Sequence, residues 1–184
     1  MEALLIGIPF FLYIYLRITL GNDITPQERD EALFYEGILL FNNEEYARAF
    51  RYFDQKVKDF PKSATAFFYR AKCHFSFENW EAALNDFEKT LRIDNSIAEA
   101  YHHKATCYYY LENYEHALFE LKRASRMYLD KNAEVFRMKG ELEFRSGDFE
   151  SAEKSFKIAE NLGDSESQIL LQTLFLGNIR NTSQ

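Results

Sequence analysis

FFYRAKCHFSFENWEAALNDFEKTL, running from Phe67 to Leu91, and YHHKATCYYYLENYEHALFELKRAS, running from Tyr101 to Ser125, are one phrase written twice. Laid over each other, Ala71 meets Ala105, Cys73 meets Cys107, Glu78-Asn79 meets Glu112-Asn113, Trp80 meets Tyr114 and Ala83-Leu84 meets Ala117-Leu118, always at an offset of 34. The frame extends backward, where Gly37, Tyr46, Ala49, Phe53 and Pro61 precede Ala71, Trp80, Ala83, Phe87 and Asn95 by 34. It extends forward with one residue inserted: Gly140, Phe149, Ala152, Phe156 and Ala159 follow Ala105, Tyr114, Ala117, Leu121 and Ala124 by 35. A fixed period of about 20–50 residues marks stacked units, none of which can bury its apolar face alone. Four copies fill residues 30 to 165, at 30–63, 64–97, 98–132 and 133–165.

Each copy reads as two helices joined by a tight polar turn. One stripe of the first helix, at helical spacing, is Leu33-Gly37-Leu40, Phe67-Ala71-His74, Tyr101-Ala105-Tyr108 and Phe136-Gly140 in the four copies. Its middle residue is always Gly or Ala, so a second helix can approach closely there, and Ala49, Ala83, Ala117 and Ala152 answer from that second helix. Phe53, Phe87, Leu121 and Phe156 follow as gap fillers, and Tyr46, Trp80, Tyr114 and Phe149 stand just after the turns as wedges.

These positions resemble the tetratricopeptide repeat family, whose length is about 34 residues, and the resemblance spans nearly three quarters of the chain. It implies an all-α fold: a right-handed superhelical solenoid of antiparallel helix pairs. The family's closing proline is kept at Pro61 but is replaced by Asn95, Leu129 and Asp164, and Lys56 stands where a small residue is usual. Residues 166–180 carry Ile169, Leu170, Leu174 and Phe175 at helical spacing and are expected to form a C-terminal capping helix over the last apolar face, with 181–184 as a polar tail.

Composition narrows the function. Among 184 residues, 47% are hydrophobic, which suits a packed chain, and the net charge of −7 falls in the repeats because Glu2 and Arg17 cancel in the first twenty residues. An acidic array repels phosphate backbones, so nucleic acid is not expected as a partner. Cys73 and Cys107 occupy equivalent points of neighbouring copies. Stacked helices stand about 8–10 Å apart, farther than the roughly 4.4–6.8 Å a disulfide needs between Cα atoms, so two free buried thiols are expected.

Residues 3–16, ALLIGIPFFLYIYL, carry no charge, and the run continues past Arg17 to Leu20. Eighteen helical residues span about 27 Å, close to a hydrocarbon thickness of about 30 Å. Three interpretations compete. A signal peptide lacks its basic start and small-residue cleavage site here. A helix covering the first repeat fits the short length and Pro9. An uncleaved transmembrane anchor fits the unbroken apolar composition and is the expectation for residues 1–20, with the repeats on the cytoplasmic side because Arg17 and Arg29 follow the segment. Residues 21–29, GNDITPQER, form a linker in which Thr25, Pro26 and Glu28 make a good helix start.

No catalytic, cofactor or metal constellation is present in the sequence. His74, His102, His103 and His116 are not spaced to place two ligands on one helix face, and no phosphate loop, nucleophile elbow or zinc motif occurs. What remains is a second stripe on the first helices: Phe34-Ile38-Phe41, Phe68-Lys72-Phe75, His102-Thr106-Tyr109 and Arg137-Glu141-Phe144. The resemblance implies that this face is the inner wall of a groove that holds a peptide. The family's lysine, asparagine and arginine clamp for a terminal carboxylate is missing, since Phe34 and Ile38 stand in the first copy and Glu99 and His103 in the third.

The expected function is a membrane-anchored interaction scaffold, not an enzyme. About half of the aromatics on that stripe should be exposed as anchors. With Lys72, Arg137 and Arg145 nearby, the partner is expected to carry apolar residues with acidic ones beside them. The alternatives are a soluble subunit of a complex, with its groove permanently filled by a partner or by its own N-terminal segment, and, more distantly, a docking module for an enzyme.

Overall fold

The computed structural model describes Leu12, Tyr15, residues 26–129 and residues 131–176. All regular elements among them are helical. The chain divides into two compact units, one ending at Glu78 and the other beginning at Asn79.

In the first unit, α1 (Pro26–Leu33) and α2 (Tyr35–Asn42) are followed by α3 (Tyr46–Asp59) and α4 (Ala64–Ser76). The helix begins at Pro26, as the sequence suggests; its expected cap, Thr25, lies outside the described residues. Helix α3 packs on both α2 and α4. A Cβ on Gly37 would lie 2.3 Å from the Tyr52 ring and 2.8 Å from that of Phe53, so only glycine permits this crossing.

One register differs from the sequence pattern. Leu33, expected in the core, is 48% exposed, and Phe34, expected on the groove stripe, is fully buried. The cause is a break: Phe34 adopts φ −106° and ψ 15°, separating α1 from α2 and rotating the larger ring inward. There it packs edge-on against Phe53 at 6.3 Å and Phe60 at 5.5 Å between ring centroids. Phe34 is therefore a core residue with no surface for a partner.

The second unit contains α5 (Trp80–Ile93), α6 (Ala98–Tyr110), α7 (Tyr114–Met127), α8 (Ala133–Arg145), α9 (Phe149–Asn161) and α10 (Ser165–Leu171), which runs on into a π-helical turn, Gln172–Leu176. Each helix packs on the next. Tyr101 meets Arg123, Lys104 meets Glu120 and Tyr108 meets His116, so α7 runs back along α6. Tyr101, Ala105, Ala117, Leu121, Val135 and Leu142 form the core that joins α6, α7 and α8. At the end, Leu171 is buried with Ala152 and Phe156, while Leu170, Leu174 and Phe175 pack against them; Ile169 points out, 60% exposed. Residues 177–184 lie outside the described residues.

Repeated turns set the helices' starts. Asn79, Asn113 and Asp148 cap α5, α7 and α9 through side-chain oxygens that accept from Ala82, His116 and Ser151 backbone N–H groups. The aromatic wedge comes immediately after each cap, at Trp80, Tyr114 and Phe149. Cys73 and Cys107 are free and buried, and burial pushes both thiols up to about 12.

The membrane-spanning expectation is corrected here. Among the described residues no helix is long and apolar enough to cross a membrane. The longest have 14 residues, against the roughly 20 that a bilayer requires. Of residues 3–20 only Leu12 and Tyr15 are described, both helical and exposed; the remainder lie outside the described residues. The single-pass placement with cytoplasmic repeats falls with the anchor.

Candidate partner-binding face

Helices α2 and α4 carry the expected stripe in the first unit. Ile38 and Phe41 are half-buried, Phe68 is buried and Phe75 is half-buried. Phe41 packs against Tyr46 at 5.2 Å and edge-on against Tyr69 at 5.8 Å. The Lys72 ammonium lies 4.9 Å from the Phe41 centroid, 5.3 Å from Phe68 and 5.5 Å from Tyr69. Three ring faces around one cation hold it by their quadrupoles while its stem covers them.

In the second unit, Tyr109 meets Tyr114 at 5.7 Å and Phe144 meets Phe149 at 5.0 Å, both edge-on. Phe41, Tyr109 and Phe144 thus each pair with the first residue of the following helix, five positions on. They brace the turn. None of the six stripe aromatics reaches full exposure, against the expected half.

Polar groups dominate what α6, α8 and α10 present between those braces. His102 is buried, and among the described residues its Nε2 has no hydrogen-bond partner; the Glu134 carboxylate stands 4.0 Å away. Burial lowers the His102 pKa, the nearby His103 adds to this, and Glu134 and Glu99 oppose it. The ring is neutral at pH 7. Thr106 turns its hydroxyl back onto the His102 carbonyl at 3.1 Å.

Arg137 does not offer the free positive charge expected of it. Its guanidinium is 3.0 Å from Glu141, 3.5 Å from Asp164 and 3.4 Å from Glu166. Burial raises the Glu141 carboxyl pKa, Arg137 opposes this, and Glu166 and Asp164 reinforce it. Three carboxylates thus surround Arg137, and Glu99, paired to His103 at 3.2 Å, and Glu134, beside His102, add two more acidic groups on α6 and α8. Glu134 and Glu166 are the outermost, with side chains 59% and 65% exposed.

Four of these carboxylates, Glu99, Glu134, Asp164 and Glu166, were not among the candidate residues. A signal for two of them existed: Glu99 and Glu134 are 35 apart and stand three residues before His102 and Arg137. Asp164 caps α10 and Glu166 is its second residue, the place Glu134 holds in α8, but α10 lies beyond the four copies from which the candidate stripe was read.

Two family models match. One, described as "Anaphase-promoting complex, cyclosome, subunit 3", matches residues 18–90 and again residues 52–124, an offset equal to the repeat period; the other, described as "Tetratricopeptide repeat", matches residues 104–166. The chain carries tetratricopeptide repeats. No curated protein matches it. Among solved structures, this tetratricopeptide chain resembles MamA from Desulfovibrio magneticus RS-1, at 22% identity and a TM-score of 0.63 over 75% of each chain. YrrB, described as a tetratricopeptide protein with an unusual peptide-binding site, is 23% identical with a TM-score of 0.64 over 69% of this chain and 65% of its own. The first tetratricopeptide domain of Spaghetti (RPAP3), solved with an HSP90 peptide, is 17% identical with a TM-score of 0.59 over 62% of this chain and 90% of its own. At such identities the likeness is one of fold, a helical solenoid of tetratricopeptide type.

Proposed function

We propose that this tetratricopeptide chain is a protein-interaction subunit, and that the face of α6, α8 and α10 takes up a segment of another protein carrying basic residues among apolar ones. The observation that carries it is three carboxylates around Arg137, with Glu134 and Glu99 beside the neighbouring His102 and His103. A lysine or arginine of the partner would meet Glu134 and Glu166. In the first unit, Lys72 among Phe41, Phe68 and Tyr69 suits an apolar residue with an acidic neighbour. Support for the class of function comes from the fold relatives, two of which are described as peptide-binding or peptide-bound, and from a family model that describes a subunit of a complex.

The test is fluorescence anisotropy with a labelled Lys-Leu-Lys-Leu-Lys-Leu peptide and the full chain. Glu134→Gln with Glu166→Gln removes two exposed charges without touching the core, and should weaken binding about tenfold. Equal affinity for wild type and variant, or no binding by either, sinks the proposal.

A further inference from the structure

A different part of the second unit gathers positive charge. Two adjoining cavities, each of about 340 Å³, open beside the loop between α5 and α6 and share Asn95, Tyr101 and Arg123 in their walls. That size is at the lower end for ligand pockets. Arg92 and Lys104 complete one wall, and Arg126 with Ser96 the other. In a chain of net charge −7 these walls hold four cations. The carboxylates near them are Glu88 in the wall, Glu120 beneath it and Asp94 on the loop.

Those three carboxylates are already committed. Glu120 accepts from Lys104 at 2.9 Å and stands 3.6 Å from the Arg123 guanidinium, Glu88 lies 3.6 Å from the Lys104 ammonium, and Asp94 accepts from the Ser96 backbone N–H at 2.9 Å and its hydroxyl at 2.6 Å. What is left over is donor capacity. Arg92 and Arg126 are exposed and, among the described residues, make no ion pair. Arg123 donates to the Tyr101 hydroxyl oxygen at 3.0 Å, so that oxygen acts as acceptor while its own hydrogen has no acceptor among the described residues. The guanidinium also lies 4.4 Å from the Tyr101 centroid, which fixes its plane.

We propose that these cavities form a second docking site, for a protein segment bearing adjacent acidic side chains. One carboxylate is received by Arg123 and the Tyr101 O–H, its neighbour by Arg92 and Arg126 at the mouth. Planar guanidinium groups and an unused hydroxyl hydrogen match carboxylate oxygens, and the chain's overall negative charge disfavours nucleic acid. The site is separate from the face described above. Lys104 lies two residues from both His102 and Thr106, about 200° round α6 from each.

Fluorescein-labelled hexaglutamate, titrated with the full chain, tests the assignment, with hexaglutamine as the uncharged control. Hexaglutamate should bind saturably and hexaglutamine should not. Arg92→Gln with Arg126→Gln, both exposed, should weaken binding about tenfold, and Tyr101→Phe about threefold, as two cations and one hydroxyl donor to the carboxylates are lost. Lys122→Gln with Lys131→Gln removes equal charge outside the cavities and should change binding less than about twofold. No saturable binding, or equal losses in the two double variants, overturns the site. Displacement by inorganic phosphate at the peptide's own affinity overturns the acidic-segment assignment and leaves a small-anion site only.

Discussion

Glu44, Glu78, Glu112 and Gly147 occupy the same place in the four turns, with φ of 61°, 56°, 59° and 86°. The turn needs a left-handed residue because the next N–H reaches back to close the helix: Glu45 donates to Leu40, Asn113 to Tyr108 and Asp148 to Glu143. An L-residue there costs about 1–2 kcal/mol, which glycine avoids while losing more unfolded-state entropy. Glu112→Gly should therefore stabilise the chain by about 0.5–1 kcal/mol, read as a higher urea midpoint with unchanged slope. A lower midpoint would contradict the left-handed turn. At this scale much was legible. Gly or Ala at residues 37, 71, 105 and 140 announced close crossings, and all four are buried. Phe34 was not legible, because the break that turns it inward leaves no mark in spacing, and Leu33 and Phe34 are both apolar.

Between elements, the period carried more chemistry than apolar spacing revealed. Lys104 and Lys139 occupy equivalent positions on α6 and α8, and each reaches sixteen residues on, to Glu120 at 2.9 Å and to Ser155 at 3.0 Å. Glu120 is almost wholly buried, and Lys104 is its hydrogen-bonded cation. Lys104→Met should cost about 3–5 kcal/mol by taking the hydrogen-bonded cation from that buried carboxylate and leaving it only Arg123 at 3.6 Å, and Lys104→Met with Glu120→Leu should recover most of it. Burial alone would push the Lys104 ammonium down, but the hydrogen bond and charge of Glu120 raise its pKa above the ordinary lysine value. A raised folded pKa means the pair's stability is fully present below the unfolded lysine value of about 10.4. It is lost as pH rises through the folded value. Denaturation midpoints should thus fall steeply above about pH 10 in wild type and less so in the double variant. Parallel profiles would exclude the pair as a source of stability. Such pairs escape a sequence reading, since residues sixteen apart meet only once a turn brings two helices face to face.

For the molecule as a whole, the residues of the candidate face were partly legible and its chemistry was not. His102, Arg137 and Glu141 were picked out by register, but the sign of the charge there was inverted, because Asp164 and Glu166 reach Arg137 only after α10 has docked. The aromatic stripe was legible as a row and misjudged as a free surface, since Tyr109 and Phe144 are taken up by Tyr114 and Phe149. An acidic face on one side and a cationic pair of cavities on another fit a scaffold that holds partners of opposite charge. The most direct measurement is quantitative affinity capture from cells expressing the full chain, comparing wild type with Glu134→Lys plus Glu166→Lys after thermal melts of both. The account predicts that retention of the partner bound by wild type falls at least about tenfold while the midpoint stays within about 2 °C. Undiminished retention by a folded, charge-reversed protein would contradict it.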